Sequence, residues 1–222
     1  MEHGALRARL GLFVDLLLRW NRTINLIGRA DERHVWARHV ADSLQLREFV
    51  GPRVARAIDL GSGAGFPGLV LAIATGVTWE LVEADVRKAS FLREAARLTA
   101  APVRVHAVRA EAVAIPPAEL VTARGLAPLR ELLPLCHPLL KTGGLCIFPK
   151  GRNAARELTA TRREWQMRVR QVASRTAPDA TILLLSEIAP AGSPPTARSD
   201  PTILHHCHRK PEGRRRQDDN HG

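Results

Sequence analysis

One stretch constrains this chain more than any other: Asp59-Leu60-Gly61-Ser62-Gly63-Ala64-Gly65-Phe66-Pro67-Gly68. It follows an apolar strand pattern over residues 54–60 and precedes a helical pattern over 67–75. Glycines at such a turn let the backbone pass through positive φ and approach a ligand closely, while the helix start offers unpaired N–H groups. Pro67 suits a first helical turn, where its missing N–H costs nothing.

The rest of the chain repeats the strand-then-helix order. Residues 79–83, 103–108, 120–123 and 145–148 read as strands, and 86–98 and 127–140 as helices. This alternation predicts an α/β fold with a mostly parallel sheet, right-handed crossovers and helices on both faces. Two amphipathic helices come first. In 5–20 the residues Leu6, Leu10, Phe13, Val14, Leu17 and Leu18 recur at helical spacing; in 31–46 Trp36, Val40 and Leu44 fall four apart, with Asp31 placed to cap. After Lys150 an Arg-rich stretch without Gly or Pro reads as a helix to about 174, and 180–188 and 202–208 read as strands six and seven. The expected organisation is one domain over 1–208, with an N-terminal helical segment at 1–53 and a ligand-binding core at 54–208. The basic tail 209–222, with almost no apolar content, is expected to be disordered.

Two ligands compete for the turn. Gly63-x-Gly65-x-x-Gly68 satisfies the dinucleotide fingerprint, so an NAD-dependent dehydrogenase is one reading. Against it, Pro67 removes a donor that a pyrophosphate would use. Asp59 followed by Gly61-x-Gly63-x-Gly65 resembles the loop that cradles S-adenosyl-L-methionine in Rossmann-like class I methyltransferases. Glu83, ending the second strand, can accept from both hydroxyls of a ribose and serves either ligand. Residues 133–144, with Gly143-Gly144 before an apolar strand, resemble the last helix, turn and fifth strand of the methyltransferase fold. Thr122-Ala123-Arg124 lacks the Asn/Asp-Pro-Pro-aromatic tetrapeptide of enzymes that methylate exocyclic amines.

Longer blocks resemble one family, the bacterial small-subunit ribosomal RNA guanine-N7 methyltransferases, historically the glucose-inhibited division protein B family. They are Trp20-Asn21-Arg22-Thr23-Ile24-Asn25-Leu26, Arg38-His39-Val40-Ala41-Asp42-Ser43-Leu44, residues 59–68, Arg87-Lys88-Ala89-Ser90-Phe91-Leu92, Ala123-Arg124-Gly125-Leu126-Ala127-Pro128-Leu129 and Lys150-Gly151. The resemblance implies a seven-stranded Rossmann-like methyltransferase fold. It also implies S-adenosyl-L-methionine as cofactor and a guanine N7 in the 530 loop of 16S ribosomal RNA as target, in the small subunit or its assembly precursor. Gly61, Gly63, Gly65 and Phe66 would line the cofactor pocket, Ala110 and Glu111 would meet the adenine, and Arg124 would reach the bound cofactor. The chain departs from the family at Ile27, usually Thr, and at Gly125-Leu126, and it matches only loosely after 175.

Guanine N7 carries an in-plane lone pair and no proton, so no general base is expected. Asp42 and Glu111 are candidate carboxylates near the developing positive charge. Candidate RNA contacts are Asn25, Arg38, His39, Lys150 and Arg152. The formal charge of +11 sits unevenly: +4 over 1–58, +1 over 59–149, +6 over 150–175, −2 over 176–208 and +2 in the tail. That places cationic rims around a nearly neutral core, a distribution suited to phosphates. With no Tyr and 4% aromatic residues, base stacking has few platforms. A non-catalytic RNA-binding assembly factor remains an alternative.

Three scattered cysteines point to reduced thiols in a cytoplasm. The N-terminus lacks a signal peptide's features, and no apolar run suits a membrane span. His205-His206-Cys207-His208 has no second ligand cluster, so a strand rather than a metal site is expected there. No obligate protein partner is evident.

Overall fold

A computed structural model describes residues 2–193. The first helix, α1 (Glu2–Trp20), leads into an irregular helical stretch. The core follows as β1 (Arg56–Leu60), α3 (Gly68–Thr75), β2 (Thr78–Val82), α4 (Val86–Thr99), β3 (Val103–His106), β4 (Ala118–Ala123), α5 (Leu129–Cys136), β5 (Leu140–Lys150), α6 (Ala154–Thr161), β6 (Trp165–Ala173) and β7 (Thr181–Pro190); α2 (Ala41–Leu44) lies in the irregular stretch.

The seven strands form one sheet in the order β3-β2-β1-β4-β5-β7-β6. The five strands β1 to β5 are mutually parallel. β7 runs antiparallel between β5 and β6. Strand order reverses between β1 and β4, so the loops after both strands part at their carboxyl ends and leave a crevice there.

Both faces of the sheet's central strands are buried, which is why β1, β2, β4 and β7 are mostly apolar. In β7 Ile182 and Leu184 join one core with Phe13 of α1, Leu69 of α3 and Phe91 of α4, whereas Leu183 and Leu185 join a second core with Leu132 of α5 and Leu158 of α6. Arg9 locks α1 across the first layer by donating to the carbonyls of Ile73, Thr99 and Ala100 at 3.2, 2.8 and 3.1 Å. Those oxygens end α3 and α4 and have no partner within their own helices. At the other end of α4, Asp85 caps the helix by accepting from the N–H groups of Arg87 and Lys88.

Three expectations are corrected. Residues 150–174 are not one helix: α6 ends at Thr161, and Trp165–Ala173 is the edge strand β6. The absence of Gly and Pro suggested a helix, but Trp165, Met167 and Val169 alternate with polar residues and half-bury one strand face, a period of two. Residues 31–46 are not a continuous α-helix. They form a 3-10 turn (Arg29–His34), a π turn (Trp36–Val40), the short α2 and a second 3-10 turn (Gln45–Phe49). Finally, the described sheet has its seven strands by Pro190. The strand read at 202–208, the domain boundary at 208 and the tail 209–222 lie outside the described residues.

Cys136 and Cys146 are free and buried, and burial raises the Cys146 thiol well above its ordinary pKa. Among the described residues no helix is long and apolar enough to cross a membrane, and no cluster of His, Cys, Asp and Glu would hold a metal ion.

Candidate active site

The glycine turn lies at the carboxyl end of β1, and three of its glycines have left-handed φ: Gly61 at 67°, Gly63 at 54° and Gly65 at 91°. They serve different ends. A Cβ on Gly61 would lie 2.7 Å from Leu126 Cδ1. Gly65 packs inward on Leu69 and Leu92 rather than facing the crevice. The turn is held by Asp59, fully buried at the end of β1, whose carboxylate accepts from Thr122 Oγ1 at 2.6 Å and from the Gly68 N–H at 3.3 Å. Burial pushes the Asp59 pKa up to about 6 against the opposing hydrogen bond from Thr122. Gly68 is where α3 touches the sheet, since a Cβ there would meet Asp59 Cβ at 2.6 Å and Leu81 Cδ2 at 2.7 Å.

Between this turn and β2 lies a cavity of about 440 Å³ whose walls include His39, Gly61, Gly63, Phe66, Glu83, Ala110 and Arg124. Glu83 follows β2 directly. Its Oε2 accepts from the Gly63 N–H and its Oε1 from the Asp85 N–H, both at 2.8 Å. A carboxylate has about four acceptor positions, so roughly two remain for hydroxyls of a ligand. The Phe66–Pro67 peptide is cis. The Phe66 ring carries His39 stacked at 5.0 Å between centroids and the Arg124 guanidinium at 5.2 Å. Burial, reinforced by the Arg124 charge, holds the His39 pKa below its ordinary value. A neutral His39 accepts at Nδ1 from Arg124 at 3.3 Å, and its buried Nε2 makes no hydrogen bond although the Asp31 carboxylate lies 3.7 Å away. Acceptor positions on Glu83, close backbone at the turn and an unanswered N–H on His39 together suit a nucleoside with a polar tail.

A second cavity, about 230 Å³, opens beside the first and includes Asp42, Arg124, Lys150, Ser174, Thr176 and Thr181 in its wall. Arg124 lines both cavities. It pairs with Asp42 at 3.1 Å. The other Asp42 oxygen accepts from Thr176 Oγ1 at 2.7 Å and from Gln45 Nε2 at 2.8 Å, tying the N-terminal segment to the β6–β7 connection.

Gly61, Gly63, Phe66, Glu83, Ala110 and Arg124 therefore share one wall, as expected of a single pocket. Gly65 and Glu111 do not line it; Glu111 is exposed on a 3-10 turn beside Ala110. Of the expected RNA contacts, Asn25 and Arg152 are exposed, and Arg38 is 64% exposed while pairing with Asp31 at 2.6 Å. His39 faces the first cavity instead of solvent. Lys150 is only 9% exposed and is committed to Glu157 at 2.9 Å and the Ala127 carbonyl at 2.8 Å. The sequence reading missed Asn21, which closes the rim by accepting from the Leu26 and Ile27 N–H groups and donating to Glu32. A polar residue just past a helix end was the available signal. Gln45 and Thr176 carried none, because they meet only in the fold.

The family model of rRNA small subunit methyltransferase G (GidB) matches residues 7–182. The chain is 54% identical over 184 residues to the ribosomal RNA small subunit methyltransferase G of Rhodospirillum centenum, covering 83% of this chain and 85% of that protein. It is 52% identical over 181 residues to the protein of the same name from Granulibacter bethesdensis, covering 82% and 85%. Among solved structures, the ribosomal protein L11 methylase from Lactobacillus delbrueckii subsp. bulgaricus aligns with a TM-score of 0.54 at 17% identity, over 65% of this chain and 76% of that one. The O-methyltransferase from Bacillus cereus in complex with SAH aligns at 0.52 and 14% identity, over 78% and 90%. At these identities the structural likeness shows the fold: a Rossmann-like methyltransferase sheet.

Proposed function

The chain belongs to the rRNA small subunit methyltransferase G family, and from that premise we propose that it transfers a methyl group from S-adenosyl-L-methionine to N7 of a guanine in 16S ribosomal RNA. The observation that carries the reading is the cavity at the carboxyl ends of β1 and β2, where the glycine turn, Glu83 and Arg124 converge. Its substrate is the small ribosomal subunit or its assembly precursor, which places the reaction in the cytoplasm.

When bound, S-adenosyl-L-methionine supplies an electrophilic methyl group on a sulfonium. The chain's residues do the holding. Glu83 would accept from the ribose hydroxyls at its free positions, Gly61 and Gly63 would let the turn close on the ligand, and Ala110 would meet the adenine. His39 Nε2 and Arg124 offer donors to the polar tail. Guanine N7 needs no deprotonation, so no side chain is required as a base. Holding nucleophile and electrophile in line is the main catalytic task, and orientation alone supplies several kcal/mol. Of the two candidate carboxylates, Asp42 lines the second cavity and pairs with Arg124, which lines both, whereas Glu111 lines neither.

The test is to incubate the protein and labelled S-adenosyl-L-methionine with small subunits from a strain that lacks it, then map the product by mass spectrometry. One new N7-methylguanine is expected. Unmethylated RNA under conditions where the protein binds S-adenosylhomocysteine would instead favour an assembly factor. Saturation by NADH but not by S-adenosylhomocysteine in a calorimeter would return the chain to the dehydrogenases.

A further inference from the structure

The cofactor cavity leaves the second cavity without an occupant, and its chemistry is specific. Asp42 is the sole carboxylate in its wall among the described residues; the other charged groups there, Arg38, Arg124 and Lys150, are cations. Three donors already address the Asp42 carboxylate: Gln45 and Thr176 at Oδ1, and Arg124 at Oδ2. Of about four acceptor positions on a carboxylate, one on Oδ2 is left. Asp42 and Arg124 thus present an acceptor and a donor side by side, 3.1 Å apart.

We propose that this pair selects the target base, with Asp42 accepting from guanine N1–H and Arg124 donating to O6. The inference rests on the guanine-N7 reading above and adds the residues that tell guanine from other purines. Around the guanine ring the order is N1, O6, N7. A base whose N1 lies at Asp42 and whose O6 lies at Arg124 therefore extends N7 past Arg124. Arg124 also packs on Phe66 and lines the cofactor cavity as well as the second one, so it is the residue that joins the two. The matching order of groups on the protein and on the base is the core of the argument. Adenine reverses both partners: its amino group would face the Arg124 donor, and its bare N1 would face the Asp42 carboxylate. Methylation at N7 draws electron density from the ring and makes N1–H a stronger donor, so the contact to Asp42 tightens as the methyl group arrives.

Gln45 and Thr176 are positioning residues in this scheme. Gln45 Nε2 and Thr176 Oγ1 hold Oδ1, and Gln45 Oε1 in turn accepts from the Arg175 N–H at 2.9 Å. The base site is assembled from the N-terminal segment, the end of β4 and the β6–β7 connection, so it exists only when all three are in place.

The experiment uses small subunits reconstituted with either guanosine or 2-aminopurine riboside at the target position. The second base keeps N7 but lacks O6 and the N1–H. Wild-type protein should prefer guanine by about 100-fold in kcat/KM, the size expected when a hydrogen bond to a charged group is lost. Asp42→Asn should lose about tenfold more on guanine than on 2-aminopurine, so that discrimination narrows to the part that the Arg124 contact to O6 supplies. Equal losses on both bases would show that Asp42 only props Arg124, and would overturn the proposal. If Asp42→Asn fails to bind S-adenosylhomocysteine, Asp42→Glu, whose carboxylate is displaced by one methylene, should still lose more on guanine than on 2-aminopurine, and equal losses would again overturn the proposal. A wild-type protein that methylates both bases equally also overturns it. Failure of the wild type to methylate guanine at all would instead sink the function proposed above.

Discussion

Gly63 and Gly68 show how two glycines of one turn answer to different demands. Gly63 has left-handed φ but open space, with no atom nearer than 3.8 Å to an added Cβ, whereas Gly68 has none of that φ and no space. Gly68→Ala drives a methyl group into Asp59 and Leu81, both buried on the sheet, and overpacking of that kind costs about 1–3 kcal/mol. For a chain of this size the melting temperature should fall by roughly 2–4 °C per kcal/mol. Gly63→Ala should cost less stability, about 1 kcal/mol for the left-handed backbone, but weaken S-adenosylhomocysteine binding more, because relaxing that φ swings away the N–H that holds Glu83. Thermal melts and calorimetry on the two variants check the crossover; the same rank order in both assays would contradict it. Asp59 makes a separate prediction in pH. Its folded pKa, about 6, stands above the ordinary 3.8, so the native state holds the proton more tightly than the unfolded chain. That contribution is complete below pH 4 and is lost as pH rises through 6, a swing of roughly 3 kcal/mol. In urea titrations the stability of wild type relative to Asp59→Asn should therefore fall between pH 4 and 7 and level off above. A difference that rises or stays flat across that window refutes the assignment.

At the scale of elements, the parallel half of the sheet is legible because each strand is short, apolar and bounded by turn residues. The glycine turn, Glu83 and Arg124 fall at the ends of β1, β2 and β4 for the same reason, so most of the cofactor pocket can be read without coordinates. The edge of the sheet is less legible. β6 exposes alternate residues and is dense in Arg, so its period of two is masked by composition. The irregular stretch after α1 is legible only as helical, since its 3-10 and π turns are chosen by packing on α3 and by Asn21 rather than by local propensity. α1 itself is fastened by Arg9, which satisfies carbonyls at the ends of both α3 and α4. Arg9→Met keeps the aliphatic stem and removes the donors. It should lower stability by about 1–3 kcal/mol and leave methyl transfer per folded molecule within twofold of wild type. A large loss of kcat at full folding would show that α1 has a role in the site beyond support.

Across the whole molecule, net charge foretold a polyanionic partner but not which cations meet it, because exposure decides that and sequence does not encode exposure directly. Lys150 illustrates the point: it lies in the most basic segment, yet its ammonium is enclosed by Glu157 and the Ala127 carbonyl. Arg38, Arg152 and Arg175, in contrast, are exposed; Arg38 lines the second cavity, and the other two are chain neighbours of Gly151, Ser174 and Thr176 in its wall. Arg38 and Arg175 are paired there with Asp31 and Glu48, but exposed pairs of this kind are worth at most about 1 kcal/mol, so the guanidiniums can exchange carboxylate for phosphate. Each phosphate contact released into salt contributes close to one unit to the slope of log affinity against log salt. Replacing all three arginines by Ala should therefore weaken binding to the small subunit at low salt and reduce that slope by about 2–3, with S-adenosylhomocysteine affinity unchanged. Lys150→Ala should leave the slope alone and instead lower the melting temperature, since Glu157 loses the cation it faces. If Lys150→Ala flattens the salt dependence and the triple variant does not, the RNA approaches by a different face from the one that opens over Asp42 and Arg124.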